Sequence, residues 1–207
     1  MHRNHIIFED GHIYLEGTIK SIVKFYQQFF KPRKVKVRRI SAPLGEAHHT
    51  MGFFNGASQV FGTCCGVGGL IMLSHTHKVF WKLNLDVGSN TMGELVGLWA
   101  LLYMARYLRV LNLQICGDSS VVIEWFKGAQ NLKVISLDYW KQRIIHLKED
   151  FASIIAYHIY REYKTEADHP SKLALEAEAN VLLWWPEIDD QVGATRRCHL
   201  KNLGITL

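Results

Sequence analysis

Proline and cysteine are both scarce in this sequence, with four of each among 207 residues. Cys64, Cys65, Cys116 and Cys198 show neither C-x-x-C spacing nor a companion histidine pattern, which argues against a zinc site and a disulfide framework. They read as ordinary thiols. Long hydrophobic runs are missing too. The longest, between Glu94 and Arg106, is eleven residues, against the roughly 20 that a membrane-spanning helix needs. The first twenty residues carry Arg3, Glu9, Asp10, Glu16 and Lys20 without an apolar stretch, so no secretory signal is expected. These absences predict a protein that is not secreted, has no membrane partner and works in the nucleus or cytoplasm. Low-complexity tracts and internal repeats are absent.

What is present fits a packed domain. Apolar residues make up 48% and charged residues 21%, near the averages for globular chains. The length suits one domain plus attached segments. The net charge of +5 has a local origin, because Lys31, Arg33, Lys34, Lys36, Arg38 and Arg39 place six positive charges in nine residues. Outside that stretch 18 basic residues face 19 acidic ones. Such a run contacts phosphates, acts as a localisation signal, or is a solvated linker.

Periodicity divides the chain. From Thr18 to Phe30 apolar residues recur at helical spacing until Pro32, giving a short helical N-terminal segment over 1–30. Residues 31–49 read as a basic linker. A domain follows over 50–176, with strands near Met51–Ala57, Gly66–Leu73 and Val79–Leu85. After these come a long helix near Met92–Arg109, a strand at Asn112–Cys116, helices near Val121–Phe126 and Leu137–Phe151, a strand at Ile154–Tyr160 and a helix after Thr165. Residues 177–207 read as a C-terminal surface extension. Hairpins first and alternating α and β later predict an α/β fold with a mixed sheet.

Four residues lie at or near element ends, where sites form in such sheets: Asn55, Glu94, Asp118 and Asp168. Each has a plainer explanation. Thr91-Met92-Gly93-Glu94 matches a capping box, Thr165 to Asp168 nearly does, and Asp118 suits a helix N-cap. Only convergence of the four would favour a site for an oxygen-loving cation. Trp81, Trp99, Trp125 and Trp140 lie in apolar segments and read as core rather than as base-stacking platforms. His158 and His169 read as structural or solvated.

Gly52-Phe53-Phe54-Asn55-Gly56-Ala57-Ser58, Cys65 to Gly69, and Ser89-Asn90-Thr91-Met92-Gly93-Glu94-Leu95 together resemble the ribonuclease H-like superfamily. Gly117-Asp118-Ser119 with Val122-Ile123 is similar to its G-D-S-x-x-V-I element. His158 to Glu162 with Ala167-Asp168 and Ser171-Lys172 is similar to its H-x-x-R-E…A-D-x-x-S-K ending. The resemblance covers about Met51 to Leu175 and is strongest to the ribonuclease H-type domains of plant retroelements, which accompany reverse transcriptases.

That resemblance implies a five-stranded mixed sheet, three antiparallel strands then parallel ones, flanked by helices. It implies two Mg²⁺ ions, with Mn²⁺ as a substitute, and cleavage of the RNA strand of an RNA–DNA hybrid. By position Glu94, Asp118 and Asp168 match three metal-ligand and catalytic carboxylates. At the fourth position the family has Asp and this chain has Asn55. Asn90 matches the first of two amide positions, Thr91 stands at the second, and Lys164 replaces an Asn. Two metal ions need anionic ligands to offset their mutual repulsion, so Asn55 leaves the site short of charge. Gly56, Ser58 and Asn90 are the implied contacts to 2′-hydroxyls and phosphates. Three functions stay open: a ribonuclease H domain with impaired catalysis, a nucleic-acid-binding module using the basic run, and a retroelement relic.

Overall fold

A computed structural model describes residues 49–59, 64–159 and 165–205. The expected helix within Thr18 to Phe30, the basic run from Lys31 to Arg39 and Lys164 lie outside the described residues.

Three antiparallel strands open the domain: β1 (Thr50–Ser58), β2 (Cys65–Met72) and β3 (His77–Asn84). Helix α1 (Asn90–Tyr107) leads into β4 (Asn112–Gly117), which pairs parallel with β1. Helices α2 (Ser120–Phe126) and α3 (Asp138–Lys148) precede β5 (Ser153–His158), parallel to β4. Helix α4 (Thr165–Ala174) follows. These are the elements that periodicity predicts, with ends shifted by a few residues.

The sheet does not stop at five strands. The expected surface extension at 177–207 instead supplies β6 (Val181–Ile188), β7 (Gln191–Val192) and β8 (Arg196–His199), giving eight strands. β6 pairs antiparallel with β3, setting Leu182 opposite Leu83 and Trp184 opposite Trp81. Buried Asn84 guides the chain there. Its side-chain nitrogen donates to the Ala177 carbonyl at 2.8 Å, its backbone oxygen accepts from Asn180 N at 2.8 Å, and its Oδ1 accepts from Asp86 N. The run Val181 to Ile188 lacks the alternation of a half-buried strand. It becomes one because Val181 and Leu182 are fully buried while Trp185 stacks on Phe80 across the sheet.

The core lies between the sheet and α1. Leu95, Leu98, Leu101, Leu102 and Ala105 from α1 are wholly buried with Phe54, Val67, Ile71, Trp81 and Leu83 from the sheet. Burying each large side chain contributes roughly 1.5–3 kcal/mol. Trp81, Trp99 and Trp140 are core residues as expected, and Trp125 is half-buried against that core.

Helix α4 packs on the opposite face, and two glycines permit it. A Cβ on Gly66 would lie 2.6 Å from the Ser171 carbonyl oxygen, and one on Gly68 would collide with the Ser171 backbone nitrogen and lie 2.6 Å from the Pro170 carbonyl carbon. The helix backbone therefore rests directly on the strand backbone. Gly68 is the register partner of Asn55, so this close approach brings α4 to position 55.

All four cysteines are free. Burial pushes the Cys65 thiol up to about 11, helped by Cys64 and Glu94, and the Cys116 thiol up to about 12. Both stay protonated in the native fold where an unfolded thiol ionises. Stability from these groups is therefore complete below the ordinary thiol range and is lost as pH rises from about 9 towards 11–12. Native Cys65 and Cys116 should resist iodoacetamide at about pH 8 while half-buried Cys64 and Cys198 react. Peptide mass mapping after a timed pulse checks this, and equal labelling of all four would refute it.

Candidate active site

The four residues singled out in the sequence are brought unequally close. Asn55, 2% exposed on β1, donates its amide to Asp168 Oδ1 and to Ser171 Oγ, each at 2.9 Å. Ser171 Oγ in turn donates to the Asp168 carbonyl oxygen at 2.9 Å. This chain of bonds fixes which way the amide points, because a carboxylate accepts only and the Ser171 proton is already used. The other Asp168 oxygen pairs with Lys172 Nζ at 2.6 Å, one turn along α4.

Glu94, 3% exposed, approaches from α1, its Oε1 accepting from Gly56 N at 3.1 Å. A Cβ on Gly56 would stand 2.6 Å from the Glu94 backbone nitrogen, so glycine is what lets α1 cross β1 here. Glu94 is not a capping residue. Ser89 caps α1 by accepting from Met92 N, and the helix begins at Asn90, which moves Glu94 out of the first turn. Asp118 is not an N-cap either, since Ser119 caps α2 by accepting from Val122 N. The plainer explanations thus fail for two of the three carboxylates.

Asp118 lies half-buried past the end of β4, beside β1. The exposed His158, at the end of β5, donates from Nε2 to the Asp118 backbone oxygen at 3.0 Å, holding the turn; His169 is also exposed. Ser58 and Asn90 are exposed at the end of β1 and the start of α1. Gly56 is buried, and its N–H donates to Glu94.

Two divalent ions would need several carboxylates aimed at one point. Among the described residues, no group of three or more His, Cys, Asp or Glu side chains is placed to hold a metal ion. The donor at position 55 is also of the wrong kind. Position 55 presents N–H to Asp168, and Lys172 brings a cation to the same carboxylate, so its charge is met by charge-assisted hydrogen bonds from within the chain. The Asn55 amide as arranged does not fit the anionic ligand that the sequence resemblance implies at position 55.

A mixed sheet in the order β5-β4-β1-β2-β3, with α1 on one face and α4 on the other, defines a ribonuclease H-like α/β fold. Solved structures with this fold include RNase H1 from the halophilic archaeon Halobacterium salinarum, at TM-score 0.58 and 22% identity over 62% of this chain and 98% of that one. The N-terminal RNase H domain of a Mycobacterium tuberculosis protein, solved as a fusion with maltose-binding protein, aligns at 0.56 and 22% over 61% and 98%. LC11-RNase H1, obtained from compost and solved in complex with an RNA/DNA hybrid, aligns at 0.55 and 17% over 61% and 96%. No curated protein matches the sequence. Residues 54–174 match the family described as reverse transcriptase-like. The chain belongs to that family and carries a ribonuclease H-like domain.

Proposed function

We propose that this domain engages RNA–DNA hybrids and cuts their RNA strand with Mg²⁺ or Mn²⁺ slowly or not at all. The observation that carries this reading is the Asn55 amide donating to Asp168. It places a neutral donor where the family resemblance puts a metal-ligand Asp. Hybrid binding is supported by the fold shared with LC11-RNase H1, which was solved with a hybrid. Exposed Ser58 and Asn90, at the end of β1 and the start of α1, suit contacts to 2′-hydroxyls and phosphates. Nuclear or cytoplasmic action accompanies this reading. The deciding experiment pairs hybrid binding with cleavage of a labelled RNA strand in Mg²⁺ and in Mn²⁺. Binding without cleavage is the expected result. Rapid cleavage would refute the impairment, and absence of binding would leave a retroelement relic.

The basic run adds general phosphate affinity in this reading. Each Lys or Arg that meets a phosphate should add about one unit to the slope of log affinity against log salt. Neutralising Lys31, Arg33, Lys34, Lys36, Arg38 and Arg39 together should flatten that slope. An unchanged slope would make the run a localisation signal or a plain linker.

A further inference from the structure

At the far end of α1 from Glu94 lies a cleft of about 760 Å³ between α1 and α3. Twelve residues separate Glu94 from Arg106, about 18 Å along a helix. The Arg106 end of the cleft is therefore well separated from Glu94.

Trp99, Tyr103 and Tyr139 line it, and Tyr107 with Arg196 continues the ledge beyond it. Trp99, Tyr103 and Tyr107 recur every fourth residue of α1, so they form one row along the helix. Trp99 is 2% exposed and serves as the floor, with Tyr103 stacked on it at 5.7 Å between centroids. Tyr107 is 46% exposed, its ring set edge-on to Trp184 of β6. From α3, Tyr139 faces the cleft at 44% exposure. An exposed tyrosine ring is an apolar surface left in water, and exposed Tyr107 and Tyr139 together with half-buried Tyr103 form a stacking platform.

The rim is cationic. The Arg143 guanidinium lies 4.9 Å from the Tyr139 centroid and donates to the Gly204 carbonyl. Arg196 donates to the Tyr107 hydroxyl at 3.3 Å. Both are held in place by neutral partners, so their charge is left for a ligand. Arg106 is the third rim cation and pairs with Asp150 at 3.2 Å. Asp138, the cleft's carboxylate, is matched by Lys141. The ledge thus combines ring faces at a repeat of about 6 Å, four residues of helix rise, with guanidinium groups beside them. A polyanion that carries a flat ring on each repeating unit is complementary to that pattern. A duplex is not, because its ring faces are stacked on one another.

We propose that this ledge binds single-stranded nucleic acid, with bases on Tyr103, Tyr107 and Tyr139 and phosphates on Arg106, Arg143 and Arg196. It is a second contact surface, one that would receive a strand emerging unpaired from a hybrid. The proposal takes its class of partner from the nucleic-acid reading above, but needs neither hybrid binding nor the carboxylate site.

Fluorescence anisotropy of the full chain with a short oligouridylate, and separately with a blunt RNA–DNA hybrid, tests it. Stacking on an aromatic side chain is sequence-tolerant, and truncating the ring weakens binding by about tenfold. Tyr139→Ala and Tyr107→Ala should each weaken oligouridylate by about that factor. Tyr139→Phe, which keeps the ring, should not, and hybrid affinity should hold in all three. Circular dichroism establishes that the exposed substitutions leave the fold intact. Oligouridylate binding that survives the double alanine variant would overturn the proposal and assign single-strand affinity to the basic run. Equal loss for both probes would overturn it as well. If the parent binds oligouridylate through the tyrosines but ignores the hybrid, the ledge stands and the hybrid reading fails.

Discussion

Asn55→Asp is expected to make the stability of this fold depend on divalent cations. In the parent the Asn55 amide donates to Asp168 and Ser171. A carboxylate at position 55 loses the bond to Asp168 and faces that carboxylate across the same gap, and it can accept from Ser171 only if that hydroxyl leaves the Asp168 carbonyl, with Lys172 as the nearest compensating charge. Losing a hydrogen bond to a charged group costs about 1.5–3 kcal/mol, and the new repulsion adds to it. In chelator the variant should therefore unfold about 2–4 kcal/mol more easily than the parent. Mg²⁺ should then restore its stability by mass action, while leaving the parent unmoved. Urea titrations of both proteins with and without Mg²⁺ read this directly. An Asn55→Asp variant as stable as the parent in chelator would show that the contact with Asp168 carries no weight.

The same substitution is expected to restore cutting of the RNA strand. Metal stabilisation of the reacting oxygens is worth several kcal/mol, and each ~1.4 kcal/mol is tenfold in rate. The parent should trail the variant by at least about two to three orders of magnitude. Adding Asp118→Asn to the variant should abolish cleavage again, with much less effect on binding. Full activity in the parent would mean that an amide suffices. A variant that gains metal-dependent stability without activity would favour the binding module.

Gly68→Ala is the second change with a large expected effect, and it adds a single methyl group. That methyl collides with the backbone of Ser171 and Pro170, neither of which can rotate away. α4 must lift from β2, and Asp168 and Ser171 move with it. Destabilisation near ~3 kcal/mol, the upper part of the range for overpacking, is expected in urea titrations. Gly128→Ala is the control. Gly128 has φ of +79° but nothing within 4 Å of an added Cβ, so only backbone strain of about 1 kcal/mol opposes it. Similar losses at the two positions would show that α4 gives way easily.

Strands β1 to β5 and the helices between them were legible for two reasons: β3 alternates in burial, while β2 and β4, buried almost throughout, are short apolar runs bounded by turn residues. The convergence of Asn55 with Asp168 was legible only through the resemblance, since residues 113 positions apart leave no local trace of contact. Capping misled the local reading. Serines at 89 and 119, just outside the expected motifs, cap α1 and α2. The orientation of the Asn55 amide was not legible at all, because it depends on where Ser171 sends its proton. The C-terminal strands were missed for a different reason. Val181 to Ile188 is nearly uninterrupted in apolar character and ends in Pro186, Glu187 and Ile188. Its usable signal was the bracketing by Asn180 and the Asp189-Asp190 turn, all three at positive φ.

The covering of β3 by β6 sets the smallest piece of this chain that can be handled alone. A fragment cut at 176, where motif matching would place the boundary, presents His77–Asn84 to solvent as a bare strand with Val79, Trp81 and Leu83 along it. Unpaired N–H and C=O groups beside large apolar side chains are a template for a neighbouring chain. Such a fragment is an aggregation hazard, and fragments meant for expression or crystallisation should run through β8.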